Sequence, residues 1–393
     1  MGADWLKAGS HCIDGSFDFD MVVDRTGTQS EKWTGRRERF GSDDVLPLWL
    51  ADMDFAAPPA VTQALLARAA HPVYGYTTAD ESVLDSLAGW LTARHGWQPS
   101  QMLLVPGVMA SLAMCIEAFT VPGDAVIVQP PVYPALARTV QRLGRRVLEN
   151  PLSVDKDGRY QMDMQHLAGL TGKEVGMLLL CSPHNPLGRV WRQDELRAVL
   201  DLARDRGWLV FSDEIHADML YPGEQHTPLA QIAGPGDRVV TALGPGKTFS
   251  MPGLGLSALV VTQAASYATL RQCMGHPALY NPFSLVAFEA AYQHGAEWLD
   301  ALMQYLRDSR DMLMQYLAAC EPRIRPLLPQ AGMLVWLDCR ALGVPDERLS
   351  AWFVERFGWG LSSGSQFGAG GSGFMRLNLA TPRARWLAGS GNR

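Results

Sequence analysis

Between Met102 and Val261 the sequence alternates short, continuously apolar runs with longer stretches of helical periodicity, and few architectures accept that pattern. A run that is apolar at nearly every position, such as AVIVQP at 125–130 or GMLLLCSP at 176–183, needs cover on both faces. A parallel sheet with crossover helices provides it, because each crossover lays a helix on one face. MLLV at 102–105, RRVLENP at 145–151, WLVFSDE at 208–214, RVVTALG at 238–244 and SALVVT at 257–262 read as further strands. ASLAMCIEAF at 110–119, YPALARTVQRLG at 133–144 and RQDELRAVLDLARDRG at 192–207 read as the helices between them. After Pro282 the character changes to one long helical pattern at 283–320, then to the short strands MLVWLDC at 333–339 and FMRLNLA at 374–380. The layout predicts an α/β domain followed by a smaller α+β domain.

Charge narrows the partners. The 393 residues carry 34 Lys plus Arg against 40 Asp plus Glu, a net charge of −6, with no run of five like charges. Neither a nucleic-acid footprint nor an anionic membrane surface is matched by that balance. No stretch of 18 apolar residues occurs, and MGADWLKAGSHCIDG at the N-terminus lacks a signal-like apolar core, so a soluble cytoplasmic protein is expected. The six cysteines (Cys12, Cys115, Cys181, Cys273, Cys320 and Cys339) form no CxxC pair and read as buried or inert thiols in a reducing compartment. Without a HExxH or comparable cluster, no metal site is expected.

Three motif matches fail on context. GAGGSG at 368–373 fits G-x-G-x-x-G, but a strand-like FMRLNLA follows it where a dinucleotide fingerprint needs a helix. GPGKT at 244–248 ends like a Walker A loop, yet the required first glycine is Thr241. GLSSG at 360–364 fits a nucleophile elbow around Ser362, but no histidine follows His294, and a flexible turn is the expectation there.

In a parallel sheet ligands bind beyond the carboxyl ends of the strands, where this sequence places CSPHNPLGR, SDEIH and GPGKTF. Singly, Asn185 is a turn former before Pro186, Asp213 a helix cap and Lys247 a surface lysine. Together, an amide, a carboxylate and an amine on three successive strand ends are the set that a pyridoxal phosphate enzyme needs.

The chain at this point resembles the fold-type I pyridoxal phosphate enzymes of the class I/II aminotransferase superfamily, and within them the cystathionine β-lyase (carbon–sulfur lyase) branch of the MalY/PatB type. The segments that carry the resemblance are VDRTGTQSEKW at 23–33, WLADMDF at 49–55, HPVYGYT at 71–77, PGDAVIVQPPVYP at 122–134, SPHNPLGRVW at 182–191, SDEIHADM at 212–219, KTFS at 247–250, NPFSLVA at 281–287 and FMRLNLATPR at 374–383. The resemblance implies an aspartate aminotransferase-like fold. Its large domain, at 48–285, has a mostly parallel seven-stranded sheet flanked by helices; a small domain occupies 286–393, and an N-terminal segment, 1–47, packs with the small domain.

It also implies roles. Lys247 matches the Schiff-base lysine, Asp213 the partner of the pyridine nitrogen, Asn185 the donor to the phenolic oxygen, and Tyr133 the stacking aromatic. His216 stands where many aminotransferases carry tyrosine, and Arg376 matches the guanidinium that grips the substrate α-carboxylate. Val108 and Met109 match the phosphate-cradling turn, and Tyr76 matches a tyrosine that reaches the phosphate across a homodimer interface. Trp49, Tyr74, Tyr76 and the stretch 249–256 are expected to shape the distal substrate pocket.

Two departures stand out. Gly246 and Gly244 replace serines common one and three residues before the lysine, which puts hydroxyls to the phosphate in doubt. The ending TPRARWLAGSGNR is shorter than the family's closing helix, with an expected cost to small-domain stability. The activity implied is β-elimination on an S-substituted L-cysteine such as L-cystathionine, a step of methionine biosynthesis. Transamination with the same lysine is the alternative, and a regulatory, partner-binding role is a third reading compatible with catalysis.

Overall fold

The computed structural model describes residues 17–388 except 171, 173, 174, 276 and 277. The apolar runs form the expected sheet of seven strands: β1 (Met102–Val105), β2 (Ala125–Val128), β3 (Arg146–Glu149), β4 (Val175–Cys181), β5 (Leu209–Asp213), β6 (Arg238–Leu243) and β7 (Ser257–Val261). Their spatial order is β1-β7-β6-β5-β4-β2-β3. Strands β2 to β6 pair in parallel, and β7 runs antiparallel to both β1 and β6.

Period-two geometry explains why these runs are apolar throughout. Met177 and Leu179 of β4 pack on one face with Leu112 and Ile116 of α3 (Val108–Phe119) and Leu136 and Val140 of α4 (Pro134–Arg142). Leu178 and Leu180 pack on the other with Leu196, Val199, Leu200 and Ala203 of α5 (Gln193–Arg206). The Glu195 carboxylate accepts the Arg192 N–H at 2.7 Å to start α5, and Gly207, at φ 72°, ends it.

Beyond residue 282 the single long helical pattern breaks in two, α8 (Pro282–His294) and α9 (Ala296–Cys320), which earlier helices α1 (Pro59–Ala70), α2 (Glu81–His95), α6 (Pro245–Thr248) and α7 (Ala264–Cys273) precede. Where α8 and α9 part, a Cβ at Gly295 would lie 2.3 Å from the Phe249 ring and 2.4 Å from the Ala291 carbonyl, so the position takes no larger residue. The boundary expected at 285/286 falls inside α8. A four-stranded antiparallel sheet follows, in the order β8-β9-β11-β10, made of β8 (Arg325–Pro326), β9 (Leu334–Asp338), β10 (Ser362–Ser363) and β11 (Phe374–Asn378). Beside it, α10 (Asp346–Phe357) buries Leu349, Phe353 and Phe357. Residues 383–388 of the ending begin a helix whose Trp386 is buried, and Arg383 stacks 3.9 Å from the Tyr305 ring centroid. The readings made for 1–16 and 389–393 lie outside the described residues.

The N-terminal arm is held by charge. Lys32 is wholly buried, and its Nζ donates to Asp54 Oδ2 and to the Asp52 carbonyl, each at 2.8 Å. Asp54 Oδ1 also accepts from Arg25 at 3.1 Å and from the Trp33 indole at 2.9 Å, while Asp52 takes the other Arg25 nitrogen at 2.8 Å. Removing one member of a buried pair strands the other. Lys32→Met is therefore expected to lower unfolding stability by about 3 kcal/mol or more in urea titrations, whereas Arg37→Ala, in an exposed pair with Asp43, costs less than about 1 kcal/mol.

Candidate active site

Parallel strands deliver the site from one edge of the sheet. Asn185 lies in the turn after β4, Asp213 is the last residue of β5, and Lys247 sits in α6, four residues beyond the end of β6. Gly107, at φ 87°, lets the chain turn from β1 into α3, so that the N-terminus of α3 faces the same edge. From the small sheet, β11 contributes Arg376.

These elements line a cavity of about 320 Å³, and eight of the nine residues matched to a cofactor, catalytic or carboxylate-binding role line it: Val108, Met109, Tyr133, Asn185, Asp213, His216, Lys247 and Arg376. Tyr76 does not. It is 95% exposed, so a single chain does not bring it to the cavity. Trp49 also turns away, with its indole donating to the Lys32 carbonyl at 3.2 Å and its ring under Arg39, and Tyr74 bonds the Ala69 carbonyl at the surface. Of 249–256, Pro252, Gly255 and Leu256 reach the cavity, while Phe249 is buried among Trp90, Tyr292 and Trp298.

Burial sets the charges. Lys247 donates to the Ala51 carbonyl at 2.5 Å, and burial pulls its ammonium below the ordinary lysine range, with Arg376 adding to the effect and the Asp52 and Asp213 carboxylates opposing it. Burial pushes Asp213 up to about 6. His216 is pushed down to about 3 by burial and by the Lys247 and Arg376 charges, so it is neutral at physiological pH, and its Nδ1 has no partner among the described residues. Burial also brings Arg376 down to about 10, which leaves it charged. Its fork donates to Asn185 Oδ1 at 3.0 Å and to the Trp49 carbonyl at 2.9 Å, above the Phe367 ring. With its Oδ1 engaged, Asn185 keeps its amide N–H groups for a ligand.

Several participants carried no functional signal in the sequence. The Ala51 carbonyl is a backbone atom, visible only as part of WLADMDF. Ser362, expected in a flexible turn, instead lies in β10 opposite Arg376 and donates to the Trp49 carbonyl at 2.7 Å. The GAGGSG run is a glycine turn into β11, as its context predicts. Among the described cysteines, Cys115, Cys181 and Cys339 are buried with their thiol pKa pushed up by burial, Cys320 is half-buried and Cys273 is exposed. Among the described residues there is no group of three His, Cys, Asp or Glu side chains able to hold a metal, and no helix long and apolar enough to cross a membrane.

A doubly covered sheet thus brings an amine, a carboxylate and a guanidinium together at its carboxyl edge. Residues 43–385 match the aminotransferase class I and II family, and the chain belongs to that family. It is 40% identical over 367 residues to cystathionine beta-lyase PatB of Bacillus subtilis, covering 92% of this chain and 95% of that one. It is 35% identical over 376 residues to protein MalY of Escherichia coli, covering 94% and 96%. Among solved structures, cystalysin from Treponema denticola, which contains a pyridoxal 5′-phosphate cofactor, is similar with a TM-score of 0.91 at 29% identity, over 95% of this chain and 97% of that one.

Arg376→Lys replaces a planar fork with a single ammonium. The substitution is expected to weaken binding of a small amino-acid ligand by about tenfold or more, read as the ligand concentration needed to raise the thermal unfolding midpoint.

Proposed function

We propose that the protein catalyses β-elimination on S-substituted L-cysteines, with L-cystathionine as the substrate giving homocysteine, pyruvate and ammonia. The observation that carries this reading is the convergence of Lys247, Asp213 and Arg376 on one small buried cavity. Pyridoxal 5′-phosphate is the cofactor. The cavity fits it: among the described residues the raised Asp213 carboxyl forms no ion pair of the kind a protonated ring nitrogen provides, with Lys247 acting on it only through its charge, and the N–H groups at the start of α3 suit a phosphate. Preference for elimination over transamination rests on the likeness to PatB across 92% of the chain.

Bound there, the cofactor supplies an electron sink that makes the substrate's Cα–H bond acidic enough to break. Asp213 would hold the ring nitrogen, the Asn185 amide and neutral His216 the phenolic oxygen side, and Tyr133 a ring face. Val108 and Met109 would hold the phosphate. Arg376 takes the substrate α-carboxylate through its fork. Lys247 would be the residue that holds the cofactor covalently, and its amine, when free, would stand next to the substrate's Cα. Its lowered affinity for protons leaves that amine able to take the Cα proton. As the Cβ–S bond breaks, the sulfur leaves with the bonding pair and a double bond forms between Cα and Cβ. Addition of water to the released product gives pyruvate and ammonia.

Tyr76 enters this reading from a second copy of the chain. Its near-complete exposure, beside Tyr74 at 57% and Val73 at 64%, supports a homodimer in which each site is completed by its partner. The enzyme is proposed to act in the cytoplasm, where the free thiols of the described cysteines stay reduced.

The deciding experiment supplies pyridoxal phosphate and L-cystathionine without any keto-acid acceptor. Continuous, equimolar release of pyruvate and free thiol is expected, whereas a transaminase would stop after one turnover with no thiol formed. A second expectation concerns pH. Because the folded pKa of Asp213, about 6, lies above its ordinary value of 3.8, the folded chain keeps a proton that the unfolded chain has lost between these values. Protein stripped of cofactor therefore loses about 2–3 kcal/mol of stability as pH rises from 4 to 7. Asp213→Asn is expected to flatten that slope in denaturant titrations run across the same range.

A further inference from the structure

The glycines at 244 and 246 remove two positions from which a hydroxyl could serve an anion near Lys247. A Cβ at Gly246 would lie 3.2 Å from Pro252 Cα, leaving a side chain little room. A Cβ at Gly244 would lie 2.7 Å from Ser257 Oγ and 3.2 Å from Ser257 Cβ, so the space beside residue 244 is already filled by another serine. Ser257 opens β7, which runs antiparallel to β1 and β6 and so enters the sheet at the edge where the parallel strands leave it. Its Cα partner across the ladder is Val105, two residues before the turn into α3.

Ser257 is 3% exposed, lines the cavity with Gly107, Val108 and Met109, and its hydroxyl makes no hydrogen bond among the described residues. Other hydroxyls from the same segments are engaged: Ser111 donates to the Val108 carbonyl at 2.8 Å, Thr248 to Asp218 at 3.2 Å and Ser250 to the Phe55 carbonyl at 2.8 Å. The first intrahelical bond of α3 runs from Ser111 N to the Gly107 carbonyl, at 3.0 Å, so the N–H groups of Val108, Met109 and Ala110 precede it and have no acceptor within the helix. The hydroxyl of a buried serine, with no hydrogen-bond partner among the described residues, and the open end of a twelve-residue helix thus share one wall of the cavity.

We infer that Ser257 is a phosphate ligand, its hydroxyl donating to the cofactor's phosphate at the N-terminus of α3 in the place that Gly244 leaves for it. This rests on the reading that the phosphate lies at that helix end. Gly244 and Ser257 then share one space: a Cβ at 244 would also lie 3.2 Å from Ser257 Cβ and 3.3 Å from Ile215 Cδ1, so 244 stays small while Ser257 fills it.

The test uses holoenzyme and two readouts independent of turnover, the rate of cofactor release after dilution and the ³¹P resonance of the bound cofactor. Ser257→Ala is expected to release cofactor about tenfold faster, as loss of a hydrogen bond to a charged group implies, and to shift the resonance. Unchanged release and resonance in Ser257→Ala overturns the assignment. Borohydride reduction of wild-type holoenzyme followed by peptide mapping keeps the two readings apart. A label on Lys247 with no effect of Ser257→Ala refutes the phosphate contact alone, whereas a label elsewhere refutes the site itself.

Discussion

Five consecutive backbone carbonyls, from Trp49 to Met53, organise this molecule. Trp49 O accepts from Arg376 and Ser362, Leu50 O from Asn378, Ala51 O from Lys247, Asp52 O from Lys32 and Asn378, and Met53 O from Arg25. The donors come from the N-terminal arm, from α6 beyond the large sheet and from the small sheet, and four of the six are cations, Lys32 and Arg376 almost wholly removed from solvent. A buried cation needs acceptors, and a short irregular segment has carbonyls to spare because no ladder uses them. The segment therefore ties three distant parts of the chain together at the cavity wall. Displacing it would unpair several buried charges at once, which makes the site's geometry as stiff as the fold.

The same burial tunes the chemistry. Lys247, His216 and Arg376 are all pulled down by loss of solvent, Lys247 further by the Arg376 charge and His216 by both of those charges, while Asp213 is pushed up. Of these groups Arg376 stays charged, Lys247 is the amine brought closest to giving up its proton, and His216 is neutral. A site of this kind gains from a ligand that brings an anion to Arg376 and a cation to Asp213. An amino acid provides the first and a protonated pyridine ring the second, so cofactor and substrate each relieve a different part of the desolvation cost.

How much of this was readable beforehand follows from where the information resides. The parallel sheet was legible because continuous apolar runs have one stable solution, and Asn185, Asp213 and Lys247 were legible because strand ends expose functional loops. The break at Gly295 was not, and the space that keeps that position a glycine is set in part by Phe249, from 46 residues earlier in the chain. Trp49 was misread for a related reason: its motif was informative, but its contribution is the carbonyl, while the indole packs under Arg39. Ser362 was hidden by a resemblance to a nucleophile elbow that its place beside β11 rules out. Side-chain roles tied to local sequence could be read, and backbone roles created by tertiary contact could not.

The one reversed strand shows how topology alone can change what a site is made of. In a wholly parallel sheet each strand offers its last residue and the loop after it to the ligand edge. Because β7 runs the other way, it offers its first residue and the loop before it, so that 252–257 lie against the start of α3 and against Lys247. Substitutions in that loop and those just before Lys247 then share one volume. Glycine at 246 accompanies a proline at 252, and glycine at 244 accompanies a serine at 257, each pair in van der Waals reach. What looks along the sequence like a loss of hydroxyls beside the lysine is, in space, a transfer of bulk from one side of the phosphate end to the other.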